Sequence, residues 1–188
     1  MTPNLAAFLR VIRAGESSQD DSAYTTMFGG GQFNGFQDHP RHANTVAGLT
    51  STAAGAYQFL SKTWDECAAA LRLPDFSPQS QDLAAVFLIK RRGALDDVEA
   101  GRIPQAIQKC AKEWASLPGS PYGQPTRTLT QALATYAQYG GALAAVDTQP
   151  FPFPSPTQEK PMLPGLIAAL LPTIIESIPK LGKLFGTG

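Results

Sequence analysis

The feature that most constrains this chain is a cluster of prolines near its end. The segment "TQPFPFPSPTQEKP", residues 148–161, places five prolines in fourteen residues. Proline fixes φ and has no backbone N–H, so such a stretch reads as an extended linker and not as a packed helix or sheet. The folded core must then come from the residues before it. This divides the chain into a domain over 1–147, a linker over 148–161 and a hydrophobic tail over 162–188. A domain of that length can bury a sizeable core, and an apolar content of 43% supplies the side chains to fill it.

Before the linker, helical patterns dominate. Leu5, Phe8, Leu9 and Ile12 recur at i, i+3, i+4, i+7, which predicts a helix over 3–15. Pro3 suits its first turn and Gly15 its stop. "SKTWDECAAALRL" reads as a helix starting at a Ser cap and ending before a proline. In "SPQSQDLAAVFLIKRRGAL", Ser77 is the expected N-cap and Pro78 the first helical residue. "RIPQAIQKCAKEWASL" and "TRTLTQALATYAQYGG" follow as helices, the last closed by a Gly pair. Residues 24–36, "YTTMFGGGQFNGF", differ: aromatic and Thr residues flank glycines, which favours a short hairpin or an irregular lobe. The class expected is α+β, mainly helical, with one small β lobe.

Fifteen basic side chains balance fifteen acidic ones, so nucleic acid is not an expected partner. An uncharged polar ligand such as a sugar remains compatible. Cys67 and Cys110 fall in helical patterns and read as small buried side chains, not as a disulfide framework. Asp38, His39 and His42 in "DHPRH" could suggest a metal. With no further histidine to complete a ligand set, a loop tied by Asp–Arg and His hydrogen bonds is the better reading. No cofactor is expected. The N-terminus has no basic leader before its apolar run, so the chain is expected to start in a cytoplasm without a signal peptide.

Three places carry possible chemistry. Glu16 emerges from the end of the first apolar helix, with Ser17 beside it and Asp20 and Asp21 close behind. A carboxyl in a partly apolar cleft has a raised pKa and can deliver a proton, although a helix-end Glu can equally be a solvated residue. In "TSTAAGAYQFLSKTW", Gly55 allows close backbone approach, Tyr57 offers a ring face and Gln58 an amide suited to an N-acetyl group. A turn leading into a helix, with Tyr57 in the core, explains the same residues. In "EWASLPGSPYGQP", Trp114 and Tyr122 flank a Pro/Gly loop that could wall a cleft, with Trp114 also readable as core.

Taken together, "GESS", "FGGGQFNGFQDHPR", "LTSTAAGAYQFLSKTWDECAAALRLPDFSPQSQD" and "IKRRGALDDVEAGRIPQAIQKCAKEWASLPGSPYGQ" resemble the lambda-type phage endolysins, the lambda lysozyme family of peptidoglycan lytic transglycosylases. The resemblance spans residues 5–141. It implies a lysozyme-like fold with a cleft between a small β lobe and a helical lobe. It places Glu16 at the single catalytic acid. It implies glycan contacts by Ser17, Tyr24, Gly55, Tyr57, Gln58, Ser116, Tyr122 and Gln124, with no metal site. The segment between Glu16 and Tyr24 is shorter than the family pattern.

The implied substrate is the glycan strand of peptidoglycan, and the implied reaction forms a 1,6-anhydro ring on N-acetylmuramic acid. A hydrolysing muramidase, with Asp20 or Asp21 orienting water, is the alternative within enzymes. A virion-associated murein-binding module with weak or no catalysis is the alternative outside them. The tail stands apart from the resemblance. Apolar residues from Leu163 to Phe185 form a helical stripe, interrupted by Pro172 and Pro179 and carrying Lys180 and Lys183 on the other face. Its charge-free run is short of the roughly 20 residues that span a bilayer. A segment lying on a membrane surface or on a protein partner, through residues 162–185, is the expectation.

Overall fold

A computed structural model describes residues 1–122 and 126–145. The linker and tail, expected over 148–161 and 162–188, lie outside these residues, as does Gln124.

The first helix, α1, runs Pro3–Glu16. The Thr2 hydroxyl accepts the Leu5 N–H at 3.2 Å, which caps the start, and Pro3 follows with its preset φ. Leu5, Phe8, Leu9 and Ile12 are buried, and Ala7 and Val11 extend the same face. Full burial of a side chain such as Phe8 or Ile12 contributes roughly 1.5–3 kcal/mol. The helix does not stop at Gly15. It continues to Glu16, and the chain turns extended at Ser17. That one residue matters, because Glu16 is thereby held in helical backbone.

A short 3-10 turn, Asp21–Thr25, is capped by the Asp20 carboxylate, which accepts the Ser22 N–H at 3.0 Å. Of the short hairpin or irregular lobe expected over 24–36, the irregular form is found, with a single bridge inside the segment, Thr26 with Gln32, closed around Gly29 and Gly30, both at positive φ. The hairpin that does form lies further on. Strands β1 (Asn44–Val46) and β2 (Leu49–Ser51) pair antiparallel, Val46 opposite Leu49. Ala47 (φ 51°) and Gly48 (φ 82°) make its two-residue turn, a geometry that twists with the strands.

The helical lobe follows. Helix α2 is Ser61–Leu71. Its N-cap is Leu60, without a side-chain cap, so Ser61 does not cap as expected; the hydroxyl of Thr52 takes the Ser61 N–H instead, at 3.2 Å. Helix α3, Pro78–Arg91, has the expected Ser77 cap and Pro78 start. Gly93, at φ 66°, breaks the pattern and separates α4, Leu95–Glu99. Helix α5 is Ile103–Cys110 and α6 is Leu129–Gln138, opened by a Thr128–Gln131 capping box. Helix α1 packs on α4 and α6, and α2 on α3. Trp64, Phe59, Phe33 and Phe76 join the two lobes, Trp64 meeting Phe76 edge-on at 4.5 Å. Cys67 and Cys110 are buried free thiols whose pKa burial pushes up to about 12.

Candidate active site

Glu16 sits at the C-terminal end of α1 and is only 6% exposed. Its Oε1 accepts the Ser116 hydroxyl at 2.6 Å. Its Oε2 is buried and has no hydrogen-bond partner among the described residues. Burial pushes the carboxyl pKa up to about 7, against a smaller downward pull from the Ser116 hydroxyl and backbone. Asp20, Asp38, Asp65, Asp75 and Asp97 are all held in the other direction, below the usual carboxylate range. Glu16 is therefore set apart from them by its environment.

Gly15 explains how Ser116 gets so close. A Cβ on Gly15 would lie 2.2 Å from the Ser116 hydroxyl oxygen and 2.4 Å from its Cβ. Only a residue without a side chain lets the 114–117 turn reach the end of α1. The Arg127 N–H then donates to the Ser116 carbonyl at 2.9 Å and holds that turn from the other side.

Ser17, next to the acid, does not bond Glu16. Its hydroxyl donates to the Ala56 carbonyl at 2.7 Å. The Ala56 N–H in turn donates to Gln81 Oε1 at 2.9 Å. Gln81, fully buried on α3, also donates through Nε2 to the carbonyls of Tyr24 and Phe76. The Gly55–Gln58 turn is thus stitched to α1 on one side and α3 on the other. Gly55 adopts φ 80°, and a Cβ there would lie 2.2 Å from Gln81 Oε1, so both its conformation and its packing require glycine.

Several side chains expected to meet a sugar are used inside the protein. Tyr57 is 2% exposed, so its ring face is packed in the core. Its hydroxyl donates to Asp82 Oδ1 at 2.6 Å, and Tyr24 donates to the same oxygen at 2.9 Å. The guanidinium of Arg13 lies over the Tyr24 ring at 4.7 Å. The Gln58 amide donates to the carbonyls of Thr26 and Gly55, at 3.1 and 2.9 Å, closing its own turn. Ser116 is fully buried against Glu16. Tyr122, half-buried, donates to the Lys112 carbonyl at 2.9 Å. The structure thus gathers Glu16, Ser17, Gly55 and Ser116 at one place, with Tyr24, Tyr57 and Gln58 as the scaffold behind. Trp114 is core, 3% exposed.

Asp20 and Asp21 are exposed. Asp20 accepts from the Ser18 and Ser22 hydroxyls and the Ser22 N–H, which serve its own turn. The 38–42 loop is held by its own polar groups: Arg41 pairs with Asp38 and Asp65, and His39 is buried. The His39 Nδ1 accepts the Arg41 N–H, which leaves Nε2 protonated to donate to the Phe59 carbonyl at 2.8 Å. Burial lowers the pKa of this ring. Among the described residues no three metal-ligating side chains converge, and no helix is long and apolar enough to cross a membrane.

Residues 6–143 match the family model described as Endolysin. The chain belongs to the Endolysin family. Over 134 residues it is 42% identical to the endolysin of Escherichia phage lambda, covering 71% of this chain and 85% of that one. It is 40% identical over 157 residues to the endolysin of Escherichia phage P2, covering 75% and 95%. A solved bacteriophage lambda lysozyme in complex with a chitohexasaccharide superposes with a TM-score of 0.71 at 39% identity, over 76% of this chain and 97% of that one. A second structure of the lambda lysozyme gives 0.70 at 37% identity. The fold is the lambda lysozyme fold, mostly helical with a two-stranded sheet. As a phage endolysin the protein is a lysozyme-like enzyme that degrades peptidoglycan of the host cell wall.

The residues that sequence reading missed are Gln81, Asp82 and Arg13. Each is a polar residue whose importance comes from the distant backbone or hydroxyl it meets. Their sequence context is an ordinary helix, and only the unusual burial of Gln81 on an apolar face hints at a special duty.

Proposed function

We propose that this endolysin is a lytic transglycosylase that cleaves the β-1,4 bond between N-acetylmuramic acid and N-acetylglucosamine, with Glu16 as both acid and base. One observation carries the reading: a single carboxyl, buried at a helix end and with its pKa pushed up to about 7, while Asp20, four residues on, is held low. Such a group is substantially protonated near neutral pH and can protonate a leaving oxygen. The complex of the lambda lysozyme with a chitohexasaccharide supports a glycan as the ligand.

The reaction follows from one carboxyl. Glu16 gives its proton to the glycosidic oxygen as the bond to the muramic anomeric carbon breaks, and positive charge develops at that carbon. The C6 hydroxyl of the same sugar attacks it, and its proton passes to the Glu16 carboxylate. A C1–O6 bond replaces the C1–O4 bond, no water is consumed, and Glu16 ends protonated. Because the nucleophile belongs to the substrate, its effective concentration is high and no second carboxylate is needed. Of the two acids that could orient water in a muramidase, Asp20 is engaged in its own turn, which favours this reading over the Asp20 form of that alternative. Glycan contacts are assigned to the backbone at Gly55, to Ser17, to Tyr122 and to Gln124, the last outside the described residues, while Tyr24, Tyr57 and Gln58 hold that surface from behind.

Mass spectrometry of muropeptides after digestion tests the reading. The expected products end in 1,6-anhydromuramic acid. Reducing muramic ends, 18 mass units heavier by the water added, would establish the hydrolase instead.

A further inference from the structure

We infer that Ser116 is a positioning residue for the reaction: its hydroxyl holds Oε1 of Glu16 and so keeps the acid's one proton on Oε2. The inference rests on Glu16 being the acid. It departs from the sequence expectation that Ser116 touches the sugar.

The hydroxyl lies 2.6 Å from Oε1, and the residue is 0% exposed. The serine has one hydrogen to place. If the carboxyl proton sat on Oε1 and pointed at the serine oxygen, the serine hydrogen would have no acceptor, since Oε1 is its only partner among the described residues. A buried donor without a partner is disfavoured by about tenfold or more. The neutral acid therefore carries its proton on Oε2. Among the described residues that oxygen is buried and unpaired, and a buried polar atom without a partner calls for one. The glycosidic oxygen of a bound strand, as the acceptor of that proton, supplies it.

The placement is built in by other residues. Gly15 leaves the room that Ser116 occupies, and the Arg127 N–H fixes the Ser116 carbonyl. Of the charged groups nearby, Arg13 donates to Tyr24 and to the Asp20 carbonyl, and Arg127 to Thr135 and the Gln131 carbonyl, while Arg13 Nε and Arg127 Nη1 are buried without a partner among the described residues. Among the described residues, burial raises the carboxyl's pKa and the Ser116 hydroxyl and backbone lower it.

The test compares Ser116→Ala and Ser116→Cys with the parent, all as full chains, on solubilised glycan strands that retain their peptides. For Ser116→Ala the expected result is kcat lower by about tenfold with KM within about twofold. The alkaline limb of its kcat/KM profile should move to higher pH, because the donor that lowers the Glu16 pKa is gone. Ser116→Cys, a weaker donor of similar shape, should fall between. In 13C NMR of labelled glutamate carboxyls, the resonance that Glu16→Gln deletes should titrate at higher pH in Ser116→Ala. A raised KM with unchanged kcat and an unmoved limb would make Ser116 a sugar contact and overturn the inference. A carboxyl resonance that titrates where the parent's does would overturn it whatever the activity. Cleavage retained by Glu16→Gln would instead remove the acid reading itself.

Discussion

Replacing Glu16 with Gln should abolish cleavage and stabilise the protein, and the two effects have one cause. The folded state holds this carboxyl at about 7 against an ordinary value of 4.5. In the unfolded chain the group ionises freely above 4.5, while in the fold it resists ionisation until about 7. Stability from this group is therefore complete below 4.5 and is lost as pH rises to about 7. At about 1.36 kcal/mol per pH unit, the loss by pH 8 is on the order of 3 kcal/mol. Gln has nearly the shape of the protonated acid: its oxygen can keep the Ser116 hydrogen bond, and its NH2 replaces the Oε2 hydroxyl, so it pays no ionisation cost. At pH 8 Glu16→Gln should melt on the order of 10 °C higher than the parent, using the few degrees per kcal/mol usual for a domain of this size. At pH 4 the two should melt within a degree or two of each other. Thermal melts by circular dichroism at both pH values, with a turbidity assay on purified murein, measure both effects. A difference in melting that is the same at pH 4 and pH 8 would refute a carboxyl held protonated by burial.

One further substitution and one truncation extend the test to the scaffold and to the tail. Gln81→Leu should destabilise the fold by roughly 3 kcal/mol or more, because it strands the Ala56 N–H and the Tyr24 and Phe76 carbonyls inside the protein; a denaturant melt unchanged from the parent would contradict this. Removing residues 148–188 should leave murein cleavage intact, since the solved lambda lysozyme is 97% covered by 76% of this chain; the same truncation should weaken co-sedimentation with anionic vesicles, where equal and negligible binding by both forms would exclude a membrane role for the tail.

The helices were the legible part of the fold. Periodicity located α1, and the Ser77–Pro78 pair fixed the start of α3, because both depend on neighbours within one turn. The small sheet was not legible. Its strands are three residues long, rich in Asn, Thr and Ser, and joined by Ala47–Gly48 where Asn-Gly would have announced the turn. The aromatic and glycine signal at residues 24–36 instead marks packing: Phe33 meets Phe76, Phe36 meets Phe33 edge-on, and Gly29 and Gly30 reverse the chain at positive φ. The 93–95 break in the long α3 pattern rested on one glycine that a helix could have absorbed at modest cost.

The position of Glu16 could be read from the chain, but its chemistry could not. An apolar helix ending in Glu locates a carboxyl near the core. Its proton affinity depends on how completely water is removed, which only the folded packing decides, and on what remains to bond it, which is Ser116, a hundred residues away. The aromatic and amide residues near Gly55 show the converse. Tyr57 and Gln58 have the groups a sugar site needs, and the same groups satisfy a tight turn. Which use prevails depends on Asp82 and the Thr26 carbonyl, and they claim the hydroxyl and the amide. Fixing these groups inward still serves the site. The turn that Gln58 closes carries the Ala56 carbonyl, which accepts the Ser17 hydroxyl, and Ser17 follows Glu16 in the chain, so this turn is tied to the helix end that bears the acid.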